Sequence, residues 1–296
     1  MTKVALRACI GMLALIASSA RAQSPDDIIV RGARITPREI EKAARAVTPP
    51  GDLYHTPLAQ FQAPVCPGVV GVPDDVAAAM VARIRSVADH ARIRVARPGP
   101  CKANLLVLFL ANGQAALQNM RGKGPWLFGP INQAQLEDLA ADPALKDLAA
   151  DPGPVHVWVS TETRSRYGDA MTGRGDPANP SLLKTSGAGS RMVMQARQDI
   201  VASVVMIDSA AARAMPAEQL ADYAAMRGLA QTRPPGQPGA VGTILSLFDQ
   251  GAIAPPEMTR FDRAYLRALY GSVPNIAGIT KVAQVAHEVR KAGNAD

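Results

Sequence analysis

The sequence predicts an α+β protein, with a ferredoxin-like β-α-β-β-α-β N-terminal half and a mostly helical C-terminal half. Three observations lead there. Between residues 65 and 161, short apolar runs alternate with helix-period stretches in that order. Beyond residue 190 one further long strand-like run occurs, "DIVASVVMID" (199–208), among helical stretches. The cysteines Cys66 and Cys101 fall at the start of the first strand and just before the third. In that topology these strands are central, parallel neighbours, so both cysteines reach one edge of the sheet.

The N-terminus reads as an export signal. Lys3 and Arg7 precede an apolar run, residues 9 to 17, and Ala20-Arg21-Ala22 offers a small-x-small cleavage pattern. The run falls short of the roughly 18 residues a membrane span requires. Cleavage after Ala22 gives a periplasmic or secreted chain that starts at Gln23. Residues 23 to 62 form an extended leader and one helix. The segment "DIIVRG" also loosely resembles short boxes that dock to energy-coupling proteins, although no barrel-like array of strands follows. Thr36-Pro37-Arg38-Glu39 is a capping box with proline at the first helical position, and Thr48-Pro49-Pro50-Gly51 ends the helix.

A sheet subdomain spans 63 to 162. "VCPGVVGV" (65–72) is its first strand. Pro73-Asp74-Asp75 opens a helix with Val76, Met80, Ile84 and Val87 on one face and Arg83 and Arg85 off it. "RIRVARP" (92–98) alternates like a half-exposed strand, and "NLLVLFL" (104–110) is apolar throughout, like a central one. "GQAALQNMR" (113–121) is helical and "VHVWVST" (155–161) is the fourth strand. Between them "LEDLAADP" is followed nine residues on by "LKDLAADP", two helical turns interrupted by Pro143 and stopped by Pro152.

Residues 163 to 190, rich in Gly, Ser, Pro and Asp, form a loop or linker. Its Arg174-Gly175-Asp176 is a three-residue match of the kind chance supplies. A mainly helical subdomain with one buried strand follows, 191 to 296. Pro216 starts a helix, "TILSLF" (243–248) is short and apolar, and Thr259 to Asp262 caps a helix through Tyr270. A last helix runs from about 279 to 291.

Composition excludes several classes. The formal charge of +7 falls to +4 once Lys3, Arg7 and Arg21 leave with the signal. With dispersed arginines and 4% aromatics, this is no nucleic-acid signature. Nothing after the signal is apolar enough to cross a membrane. Two cysteines in an exported chain predict a disulfide, worth about 3–4 kcal/mol in the chain-entropy model.

Catalytic signatures are missing. His55, His90, His156 and His287 have no i, i+4 partner among themselves, and His287-Glu288 leads into Arg290 and Lys291. There is no G-x-S-x-G, P-loop or dinucleotide fingerprint. Metal, cofactor and catalytic residues are therefore assigned as none. The residues singled out as functional candidates are Asp222, Tyr223 and Arg227, on "QLADYAAMRGLAQT" (219–232). Asp222 is that helix's only carboxylate past its first turn. Buried, it would need a loop amide or Arg227 as partner.

The succession "DIVASVVMIDSAA", "QLADYAAMRGLAQT", "TILSLF" and "MTRFDRAYLRALYG", with "PVCPGVV" and "CKANLLVLF", resembles a family of exported alphaproteobacterial proteins of uncharacterised activity. The resemblance covers most of the mature chain and implies localisation and architecture. More remotely, "LADYAAMRGLA" resembles the active-site helix of zinc proteases, His-Glu-x-x-His, with Ala221, Asp222 and Ala225 in the liganding and general-base slots. Alanines cannot bind zinc, so this resemblance implies a noncatalytic descendant, a pseudo-zincin.

The expected function is a noncatalytic binding or scaffolding component of the cell envelope, acting on an envelope protein or other envelope component. No nucleic acid is expected, and the oligomeric state stays open. The alternative is a hydrolase-type enzyme whose site is assembled from residues distant in sequence.

Overall fold

One mixed sheet, mostly parallel, organises the described residues. The computed structural model describes residues 35–113, 115, 153–173, 179–185, 193–237 and 239–293. The predicted signal, leader, 113–121 helix (beyond its first residues), nine-residue duplication and Arg174-Gly175-Asp176 lie outside them. Helix α1 (Pro37–Val47) starts at the predicted capping box: the Thr36 hydroxyl accepts from the Glu39 amide, and the Glu39 carboxylate accepts from the Thr36 amide.

Five strands make one sheet: β1 (Gln60–Phe61), β2 (Pro67–Val70), β3 (Leu105–Leu110), β4 (Val155–Ser165) and β5 (Ala196–Asp208). Helix α2 (Asp74–His90) connects β2 to the strand region beside it. β2 pairs parallel with β3, and β3 parallel with the C-terminal half of β5. β1 pairs parallel with β5 at Asp199 and Ile200, and β4 runs antiparallel along β5, with a bulge between Ser160 and Thr161.

The fold is thus α+β, but the split β-α-β-β-α-β order is not what these strands form. β5, from the C-terminal half, lies inside the sheet, and β4 pairs with it instead of with β2. The long β5 is the reason. It has thirteen residues, enough to offer one edge to β4 and the other to both β1 and β3. The predicted strand at 92–98 shrinks to one parallel bridge, Val65 to Val95. Pro98 and Pro100 follow without N–H groups to extend a ladder.

β2 and β3 are nonetheless parallel neighbours, as expected, although β2 lies at the edge of the sheet and not at its centre. The register pairs Pro67 with Leu105, and the Asn104 side chain accepts from the Cys66 amide at 2.8 Å. Cys66 and Cys101 are joined by a disulfide, with Cα atoms 6.2 Å apart.

After β5 come α3 (Ser209–Ala212), α4 (Ala217–Ala230), a 3₁₀ turn (Ile244–Ser246), α5 (Arg260–Tyr270) and α6 (Gly278–Gly293). The apolar run of β3 divides by face. Leu105, Val107 and Phe109 join α2, α4 and α5 in the main core, while Leu106, Leu108 and Leu110 cluster with Trp158, Val204 and Met206. Among the described residues no helix is long and apolar enough to cross a membrane.

Helix α4 is buried almost all round, from Leu220 to Met226 and from Gly228 to Ala230. One local expectation changes here. Pro216 stands at the N-cap and not inside the helix. The left-handed residue at the far end is Gln231, at φ 50°. Gly228 stays helical. A Cβ there would lie 3.2 Å from the Leu105 side chain and 3.3 Å from the Ser203 hydroxyl, so its absence lets β3 and β5 press against the helix.

Candidate functional site

The carboxylate in the general-base slot of the resemblance is occupied structurally. Asp222 is fully buried. Arg83, from α2, donates to both its oxygens, Nε at 2.7 Å and Nη2 at 2.8 Å, and the Met258 amide adds a third bond at 2.7 Å. A buried carboxylate is tolerable only with such partners, and a two-pronged guanidinium is the strongest available. Asp222 in turn holds the Arg83 guanidinium above its ordinary pKa, against the opposing effect of burial. Glu257 lies 3.3 Å from the same guanidinium. Ala221 and Ala225 are fully buried beside it, and neither has a donor atom.

Tyr223 is buried with its ring edge against Phe248, the centroids 5.0 Å apart. Its hydroxyl accepts from Arg227 Nη1 at 2.6 Å. Arg227 therefore serves Tyr223, and Asp222 is served by a loop amide and by a helix 139 residues away in sequence. The three candidate residues share one helix but form two separate sets of contacts.

Arg83 opens this buried pair to the surface. It lines a cavity of about 130 Å³ between α2 and α5, with Ser86, His90, Arg263 and Arg267. His90 and Arg267 also line a neighbouring hollow of about 390 Å³ that reaches α6, with Arg92, Glu288 and Lys291. The two form one groove. The Arg267 Nε donates to the His90 carbonyl at 3.3 Å, and the His90 Nδ1 faces the Ser86 carbonyl at 2.7 Å. Sequence reasoning missed this groove. Arg83 was visible only as a residue off the apolar face of α2, and nothing local links it to α5.

Further polar groups are buried elsewhere. Asp262 accepts from the Thr259 hydroxyl and amide at 2.8 and 2.9 Å, from Thr243 at 2.5 Å and from the Ile244 amide at 2.9 Å. Burial pushes its pKa up in spite of these bonds. Lys281 donates from Nζ to the Leu269 carbonyl at 2.8 Å, at the C-terminal end of α5, and burial lowers its pKa to about 7. Both ring nitrogens of the buried His156 lack a hydrogen-bond partner among the described residues, and the ring sits beside Gly113 and Asp208. Among the described residues no three His, Cys, Asp or Glu side chains group to hold a metal ion.

Comparisons with protein-family models, curated proteins and solved structures return no match for this chain.

Proposed function

We propose that the protein is an exported, noncatalytic binding component of the cell envelope, in which α4 is a degenerate counterpart of a zinc-protease active-site helix, and that it groups with the exported alphaproteobacterial family its segments resemble. The observation that carries the reading is the commitment of Asp222. A general base needs a free lone pair facing substrate or metal-bound water. Both Asp222 oxygens instead accept from Arg83 and Met258 in a fully buried setting. The two ligand slots hold alanine. The disulfide agrees with an oxidising compartment.

The test uses mature protein from the periplasmic fraction, assayed on casein and on a mixed peptide library with and without added zinc. The reading expects no cleavage in any arm. Zinc-dependent cleavage that disappears in Asp222→Asn while the circular dichroism spectrum is retained would overturn it.

A further inference from the structure

We infer that the groove between α2, α5 and α6 binds a ligand through a multiply charged phosphoryl group. The inference rests on the noncatalytic binding reading and names the chemistry of its ligand. The larger hollow, about 390 Å³, falls in the size range of small-molecule pockets. Its wall carries Arg92, Arg267 and Lys291 against a single carboxylate, Glu288. No ion pair joins these groups among the described residues, although Lys291 stands one helical turn from Glu288.

The other cation at this end is already engaged. Arg83 belongs to Asp222 and Glu257, so the one acid of the smaller hollow is taken as well. Among the described residues, that leaves Arg263, on the same helix as Arg267 and one turn before it, without a carboxylate partner. Among the described residues Arg267 uses only Nε, on the His90 carbonyl, so its two terminal nitrogens remain to donate. The guanidiniums of Arg92 and Arg267 and the ammonium of Lys291 around the larger hollow provide donors and charge, with one carboxylate in its wall to compete.

Such a set selects an oxyanion with more than one negative charge. A guanidinium offers parallel N–H donors that match phosphate oxygens, and an ammonium adds a point charge. The smaller hollow has Val87 and Leu266 in its wall beside Arg263. It accommodates an uncharged part of the ligand next to the charged head.

The experiment is calorimetric titration of the full mature chain with inorganic pyrophosphate, at about 50 mM salt to limit screening. Saturable binding is expected, weakened by about tenfold in Arg267→Met and also weakened in Lys291→Met, whose exposed side chain makes no hydrogen bond among the described residues. Arg213→Met, an exposed arginine just after α3 that lines neither hollow, should bind as the unaltered protein does. No saturable binding, or equal losses in all three variants, overturns the inference, as does full binding by Arg267→Met and Lys291→Met. Vesicles containing phosphatidylglycerol separate the sources of the phosphoryl group. Vesicle binding displaced by pyrophosphate supports the site with a lipid headgroup as ligand, and absence of vesicle binding beside pyrophosphate binding supports it with a soluble phosphate. Vesicle binding that pyrophosphate leaves untouched counts against it. None of these results bears on the protease assay, so the two readings fail separately.

Discussion

Lys281 shows what burial does to one side chain. It is 1% exposed, and among the described residues its Nζ has a single carbonyl as acceptor. The Leu269 carbonyl ends α5, where the helix dipole is negative, and the Gln60 side chain donates to the same oxygen. These contacts do not offset the lost hydration, so the folded pKa falls to about 7 from the usual 10.5. Between those values the unfolded chain binds the proton and the folded chain does not, so stability rises with pH. At and below pH 7 the folded state must take up a buried charge and that gain is lost. The slope approaches about 1.4 kcal/mol per pH unit for one proton. Urea denaturation at pH 7 and pH 9 should show this rise, and Lys281→Met should abolish it. Asp262 makes the opposite case, a buried acid that is well bonded. Asp262→Ala leaves Thr243, Thr259 and the Ile244 amide without their acceptor and should cost roughly 3 kcal/mol or more in the same assay.

At the scale of elements, α4 is a helix set against a sheet with no room to spare. Gly228→Val should destabilise by about 1–3 kcal/mol, because Leu105 and Ser203 already occupy the space. Ala225→Glu should cost ~2 kcal/mol or more, since the position is fully buried. Thermal unfolding followed by circular dichroism checks both. Much at this scale was legible in the sequence. The capping boxes at Thr36 and Thr259, the apolar period of α2 and the run of β3 each signal locally. The cysteine positions implied the β2–β3 pairing, because a disulfide constrains distance directly. Strand order was not legible, because it depends on which edge of β5 each partner takes. Nor was the Arg83–Asp222 pair, which joins residues 139 apart and follows from how α2 and α4 pack.

At the scale of the whole molecule, β5 and Asp222 tie the two halves of the chain together. β5 brings the C-terminal half into the sheet, and Asp222 links α4 both to α2 and to the segment before α5. The described part of the chain behaves as one unit from Ile35 onward. The export proposal belongs to this scale too: N-terminal sequencing of the mature protein should begin at Gln23, and intact Met1 in the membrane fraction would contradict it. The central claim is that Asp222 is a structural tie and not a catalytic base. A double-mutant cycle on Arg83→Met and Asp222→Asn, measured by urea denaturation, tests it most directly. Each single change should cost roughly 2–3 kcal/mol, since one partner is buried and the other partly exposed. The account predicts a coupling of about 2 kcal/mol, so that the double variant is little worse than either single one. Purely additive effects, with a coupling under about 0.5 kcal/mol, would contradict it.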